Sequence, residues 1–288
     1  MRRQGEIAII GVGLIGGSIG LALRSKGRAK RVVGIGRDRG RLEEAKRLGA
    51  IDDFTTDPAE GVAEAEIAVV CTPVTRIVED ILVAARSGPD SILVTDAGST
   101  KSRIVEEVGR DPRGRACFVG AHPIAGSERQ GAAHGRADLF EGRSCVLTPT
   151  PITPPDRLER ARQFWAGLGC RVFEFDPAEH DRRLALTSHL PHVVAAALAG
   201  SIDPDLLPLA AGAYRDGTRV AEADAALWAG IFVENRRPVL EALDRFEAQL
   251  ADFREALEAD DPGRLVEWWD AAKGHRRRFG PPPDSLPV

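Results

Sequence analysis

The stretch EIAIIGVGLIGGSIGLAL, residues 6–23, decides how the chain is read. EIAII is a short apolar run of strand length, and the residues from 14 to 26 read as a helix. Between them the glycines fall at Gly11, Gly13 and Gly16. In a strand-turn-helix each has a mechanical use. Gly11 permits the tight turn, Gly13 lets a backbone approach a pyrophosphate, and Gly16 lets the helix pack on the strand. Leu14 and Ile15 open the helix, whose free N–H groups and partial positive charge then face the phosphates. Arg2-Arg3 ahead of an apolar run imitates a signal peptide. The run is too glycine-rich, however, and no small-x-small cleavage site follows before Lys26.

Outward from this turn the pattern repeats. Strands are expected at 31–35, 67–71, 91–95, 116–121, 144–148 and 171–175, with helices near 39–48 and 75–87. Continuous apolar strands alternating with helices predict a parallel sheet covered on both faces, an α/β Rossmann-type domain. From about Pro177 no strand is expected, and helical periodicity fills 178–201 and 219–272. The expected organisation is therefore a dinucleotide-binding domain over 1–176, an all-α domain over 177–275 and a loose proline-rich tail over 276–288. The 288 residues are 43% hydrophobic and 28% charged, an ordinary globular balance that excludes a disordered chain. A net charge of −4 offers nucleic acid no bulk positive field, and no segment is apolar enough for a membrane span. The cysteines Cys71, Cys117, Cys145 and Cys170 are scattered, as in a protein of the reducing cytoplasm.

The end of the second strand bears on the cofactor. NAD enzymes place Asp or Glu there to accept the ribose 2′-hydroxyl. Here Gly36 falls at that position and Arg37 follows, a small residue and a cation that suit a 2′-phosphate. NADP is therefore expected ahead of NAD. A register slip of two would instead make Asp38 the ribose acceptor. Thr72-Pro73 ends the third strand at the same sheet edge and joins the expected cofactor-binding set.

Two segments at this carboxyl edge carry chemistry. DAGSTK, 96–101, opens a helix, and Ser99 is either its cap or a functional hydroxyl. GAHPIAGSERQG, 120–131, places His122 at a strand end, locked by Pro123, where a general base would stand. In the helical half, SHLPH puts His189 and His192 three apart on one face. Arg215-Asp216 and Arg219 follow in RDGTRVA, and Trp228 reads as a packing position. His122, His189 and His192 have no carboxylate or cysteine spaced to complete a metal site, so no metal is expected.

In order, GVGLIGGSIGLAL, DAGSTK, GAHPIAGSERQG, SHLPH, RDGTRVA with ALW, and FVENR resemble the prephenate dehydrogenase family, arogenate and dual-specificity enzymes included, from residue 6 to about 275. The resemblance implies oxidative decarboxylation of prephenate or arogenate, a Rossmann domain and a helical dimerisation domain. It implies that His122 takes the proton of the ring hydroxyl, with Ser99 orienting this histidine and the substrate. Arg219 would bind the substrate carboxylate, and His189, His192 and Trp228 would line the pocket. Glu128, Arg215 and Asp216 would gate it. A homodimer follows from the same resemblance. The alternatives are an arogenate-specific enzyme, a 3-hydroxyacid dehydrogenase and an inert NADP-binding protein; the second usually needs a lysine from the helical half, which here holds only Lys273.

Overall fold

The computed structural model describes residues 4–127 and 129–279. The chain opens with β1 (Gln4–Ile10), α1 (Leu14–Ser25), β2 (Ala29–Ile35), α2 (Arg39–Arg47), β3 (Asp53–Thr55), α3 (Pro58–Val62), β4 (Ile67–Val70), α4 (Val74–Ser87) and β5 (Leu93–Asp96). It continues through α5 (Ser102–Arg110), α6 (Pro112–Cys117), β6 (Phe118–Pro123), β7 (Ser144–Thr148), α7 (Pro155–Gly167) and β8 (Arg171–Glu174). The strands form one sheet in the order β3-β2-β1-β4-β5-β6-β7-β8. The order reverses at β1 and β4, which opens the crevice where doubly wound sheets bind ligands. β3 is a short strand that the sequence patterning does not foresee.

The sequence pattern predicts a parallel sheet, but the sheet is mixed. β7 runs antiparallel to β6, with His122 opposite Val146, while β8 is parallel to β7. Among the described residues of 124–143, which join β6 to β7, there is no α-helix, and an antiparallel neighbour needs no helical crossover. Alternate residues of β1 feed opposite cores. Ile7 and Ile9 join Ile19, Leu23, Phe140 and Trp165 on one face, whereas Ala8 and Ile10 join Ile77, Ile81 and Ile104 on the other. Both faces are buried, so the strands read as unbroken apolar runs.

After β8 the chain is helical: α8 (Pro177–Leu184), α9 (Leu190–Gly200), α10 (Gly212–Thr218), α11 (Ala225–Glu234), α12 (Arg236–Glu258) and α13 (Pro262–Arg278). A π-helical turn over Ala185–His189 joins α8 to α9, and Pro191, which lacks an N–H, is the second residue of α9. The periodicity expected over 219–272 is broken by a 3₁₀ turn at Arg219–Glu222 and by the ends of α11 and α12. Asp224 and Asp261 cap α11 and α13, accepting from the N–H groups of Leu227 and Arg264. Residues 276–278, expected in the tail, belong to α13; 280–288 lie outside the described residues. The chain divides into two compact units, Met1–Pro238 and Val239–Val288. Among the described residues no helix is long and apolar enough to cross a membrane.

Candidate active site

The glycine turn adopts the geometry its spacing implies. Gly11 has φ +93°, and a Cβ there would lie 2.9 Å from the backbone of Cys71. A Cβ on Gly16 would lie 2.2 Å from the Gly11 carbonyl oxygen, so α1 sits directly on the turn. Gly13 is the N-cap of α1 and no side chain caps it; a Cβ there would meet nothing within 4 Å. Open space ahead of an uncapped helix N-terminus, begun by Leu14 and Ile15, fits a dinucleotide pyrophosphate. Thr72 and Pro73 flank the turn across the sheet. The Thr72 hydroxyl donates to Asp80 at 2.7 Å, and Pro73 precedes α4.

At the end of β2, Gly36 directly follows the strand and leaves room beside Leu42. Arg37 is exposed and pairs with no described residue. Asp38 is also exposed, and its carboxylate caps α2 by accepting from the Arg41 N–H at 3.1 Å. An N-cap role therefore accounts for the carboxylate whose alternative use was ribose binding.

On the other side of the edge, His122 closes β6 and is half-buried. Its Nδ1 lies 2.9 Å from Nε2 of His180, and Nδ1 of His180 lies 2.8 Å from Oδ1 of Asp181. The Asp181 carboxylate also accepts the backbone N–H groups of Lys101 and Ser102, each at 2.8 Å, at the start of α5. Burial, then His180, Lys101 and His189, hold His122 well below the ordinary imidazole range. Burial would raise the Asp181 carboxyl, but hydrogen bonds from His180 and Ser102 outweigh it and keep the group below its usual value. Ser99 is half-buried in the loop before α5 and is not hydrogen-bonded to His122. Nor is it a helix cap, because Lys101 occupies that position.

Lys101 and Asp96 form a fully buried ion pair. Asp96 also accepts the N–H groups of Gly98 and Ala121, each at 2.9 Å, and so ties the end of β5 to β6 just ahead of His122. The helical wall carries the other histidines. His192 stacks on Trp228 with ring centroids 3.7 Å apart, and His189 meets the same indole edge-on at 5.9 Å. Asn235 donates to the Asp181 carbonyl at 2.8 Å and to Nδ1 of His189 at 3.0 Å. Nδ1 of His192 donates to the Ser188 carbonyl at 2.9 Å. Burial pushes His189 down to about 4. Burial also lowers His192, and Arg219 lowers it further. Arg219 is an exposed residue of the 3₁₀ turn, and Arg215 and Asp216 are exposed on α10. Glu128, the remaining expected gate residue, lies outside the described residues. Sequence reasoning passed over His180, Asp181, Lys101 and Asn235.

A glycine turn at a sheet switch point, with a histidine of lowered basicity at the end of β6 in the same sheet, is the arrangement of a nicotinamide-dependent type of dehydrogenase site. The family model described as "Prephenate dehydrogenase, nucleotide-binding domain" matches residues 19–174, and that of the dimerization domain matches 176–271. The prephenate dehydrogenase of Bacillus subtilis is 35% identical, covering 98% of this chain and 76% of that protein. The cyclohexadienyl dehydrogenase of Zymomonas mobilis is 33% identical over 91% and 92% of the two chains. Among solved structures, Aquifex aeolicus prephenate dehydrogenase in complex with hydroxyphenyl propionate and NAD+ superposes with a TM-score of 0.89, at 31% identity over 97% of this chain and 99% of that one. Synechocystis arogenate dehydrogenase gives 0.81, at 29% identity over 95% and 99%. The chain belongs to the prephenate dehydrogenase family and is an oxidoreductase.

Proposed function

We propose that this chain oxidatively decarboxylates prephenate to 4-hydroxyphenylpyruvate, or arogenate to tyrosine, with NADP preferred over NAD. The observation that carries the reading is the histidine at the end of β6, hydrogen-bonded to His180 and held well below the ordinary imidazole range by burial, His180, Lys101 and His189. The names of the relatives agree with it. Gly11, Gly13, Leu14, Ile15 and Gly16 would hold the cofactor pyrophosphate, with Thr72 and Pro73 beside it. Gly36 and Arg37 would accommodate a 2′-phosphate, and Asp38 would border the ribose. The bound nicotinamide supplies the two-electron acceptor for C4 of the substrate ring.

The remaining work falls to the protein. His122 accepts the proton of the C4 hydroxyl as the ring is oxidised, and Ser99 helps to orient the substrate. A dianionic substrate needs cationic donors, and Arg219 pairs with a carboxylate. His189, His192 and Trp228 line the wall and exclude water. Arg215, Asp216 and Glu128 gate the entrance. Loss of carbon dioxide aromatises the ring and makes the sequence effectively irreversible. We assign the chemistry to a domain over 1–176 and the substrate wall to a domain over 177–275.

The second domain also makes a homodimer. Val233 is 73% exposed in the first compact unit, as are Trp269 by 66%, Val266 by 60% and Leu257 by 58% in the second, and apolar helix faces of this kind suit burial against another copy. Four free cysteines suit a reducing compartment, and we assign the chain to the cytoplasm. The test is cofactor reduction by purified protein with each substrate and each cofactor. No reduction in any combination, from folded protein, removes the reading. A higher kcat/KM with NAD than with NADP removes its cofactor half.

A further inference from the structure

We propose that His180 and Asp181 are positioning residues: they lock His122 in the tautomer protonated on Nδ1, leaving Nε2 as the proton acceptor of the site. The inference rests on His122 being the base, as read above.

The argument starts at the carboxylate. Oδ1 of Asp181 accepts the Lys101 N–H and faces Nδ1 of His180, while Oδ2 accepts the Ser102 N–H. All three distances are 2.8 Å. An ionised carboxylate only accepts, so the proton between it and His180 sits on the histidine's Nδ1. A neutral imidazole carries one N–H. His180 is fully buried and held below its ordinary range, chiefly by burial, so its Nε2 is bare. That bare nitrogen lies 2.9 Å from Nδ1 of His122. Two bare nitrogens do not attract each other, so Nδ1 of His122 carries the proton and donates it. The second nitrogen of His122 is then an open acceptor.

The chain of bonds is anchored at both ends. The carboxylate sits on the first N–H groups of α5, and Asn235 clamps the Asp181 carbonyl. The other groups acting on His122 are Lys101, which is paired with Asp96, and His189, whose Nδ1 accepts from Asn235. When His122 takes a proton, its Nδ1–H still donates to His180, and the new positive charge faces Asp181 through one neutral ring. Among the described residues no other side chain is hydrogen-bonded to the His122 ring, Ser99 included. The arrangement follows the general logic of a base oriented by a third group.

The test has two arms. In the first, kcat and KM are measured for wild type, His122→Asn, His180→Leu and His180→Gln. Leucine removes the acceptor at similar volume; the glutamine carbonyl restores one. His180→Leu should lower kcat about 100-fold with KM changed less than about threefold, and His180→Gln should recover to within about 10-fold of wild type. Wild-type kcat in His180→Leu overturns the relay. So does an equal loss of kcat in both variants, or a fall in melting temperature with unchanged kcat per folded enzyme. The second arm needs no turnover: nitrogen-15 NMR of histidine-labelled wild type should show His122 protonated on Nδ1. Protonation on Nε2 overturns the proposal. Failure of wild type to reduce cofactor with either substrate refutes the functional reading instead, and the NMR arm then decides the relay alone.

Discussion

Two glycines of the same turn should fail in opposite ways when given a methyl group. A Cβ on Gly16 would meet the Gly11 carbonyl oxygen at 2.2 Å and Cγ2 of Ile9 at 2.9 Å. Neither neighbour can give. Ile9 is fully buried, and Gly11 is held at φ +93° against the Cys71 backbone. Gly16→Ala must therefore move α1 off the sheet. Overpacking of this kind costs about 1–3 kcal/mol, and the better helix propensity of alanine returns up to about 1 kcal/mol. A net loss of roughly 1–2 kcal/mol corresponds to a melting temperature lower by about 2–8 °C. Gly13 has φ −92°, which alanine adopts freely, and nothing lies within 4 Å of its added methyl. Gly13→Ala should melt within about 2 °C of wild type, since the loss of a glycine N-cap costs only a fraction of a kcal/mol. Its methyl would instead stand where the pyrophosphate approaches and weaken cofactor binding at least about 10-fold, or about 1.4 kcal/mol. Thermal melts of the apoprotein and fluorescence titration with NADP separate the two. A Gly13→Ala protein that binds cofactor like wild type would falsify the assignment of this turn, and a Gly16→Ala protein that melts like wild type would refute the packing argument.

Arg37→Ala should raise KM for NADP roughly 10–150-fold and leave NAD unchanged, because a charge-assisted phosphate contact is worth about 1.5–3 kcal/mol; equal effects on both cofactors would show that Arg37 does not read the 2′-phosphate. His122→Asn should lower kcat about 10²–10⁴-fold with little change in KM, whereas Arg219→Ala should act chiefly through KM, since its partner carboxylate is present in ground and transition states alike; steady-state kinetics of both variants decide, and a fully active His122→Asn enzyme ends the reading. Stability should fall as pH drops from 6.5 to about 4, because His189 titrates at about 4 when folded and near 6.5 when unfolded, so the unfolded chain gains protons first. The His189 share reaches about 3 kcal/mol at the acid end of that window, and His189→Gln should flatten the curve of melting temperature against pH; identical slopes would refute it.

The strand-turn-helix of β1 and α1 was legible because three glycines at fixed offsets have one economical mechanical use, and the buried strands because a sheet covered on both faces leaves unbroken apolar runs. The antiparallel insertion of β7 was not, since strand direction depends on how residues 124–143 return, and that connection has no period to read. His180 and Asp181 were hidden in PAEHDRRL, which reads as a charged, solvated helix. A signal was present nonetheless. The buried residues of α8 are His180, Asp181 and Leu184, so a histidine and an aspartate stand where helical spacing puts the core-facing stripe. Charged residue types on that stripe are rare unless partnered, and here the partners come from α5 and β6, far away in sequence.

The lysine beside His122 bears on which dehydrogenase chemistry the candidate site can run. A 3-hydroxyacid dehydrogenase usually relies on a lysine from the helical half, and Lys101, outside that half, does not take its place. Lys101 acts on His122 but is entirely buried, and its ammonium is bound to Asp96, which also accepts from Gly98 and Ala121. Withdrawing Lys101 toward a substrate would leave a buried carboxylate short of its counter-charge, at a cost of about 3–5 kcal/mol. The pair therefore does mechanical work: it staples the end of β5 to the strand that presents His122. Its backbone N–H meanwhile holds Asp181, so one residue supports the base from two directions. With the lysine committed to the scaffold, the proposed function leaves proton transfer to the imidazole of His122. The proposed function likewise gives the anchoring of an anionic substrate to a cation outside the core, Arg219, which is exposed and close enough to depress His192.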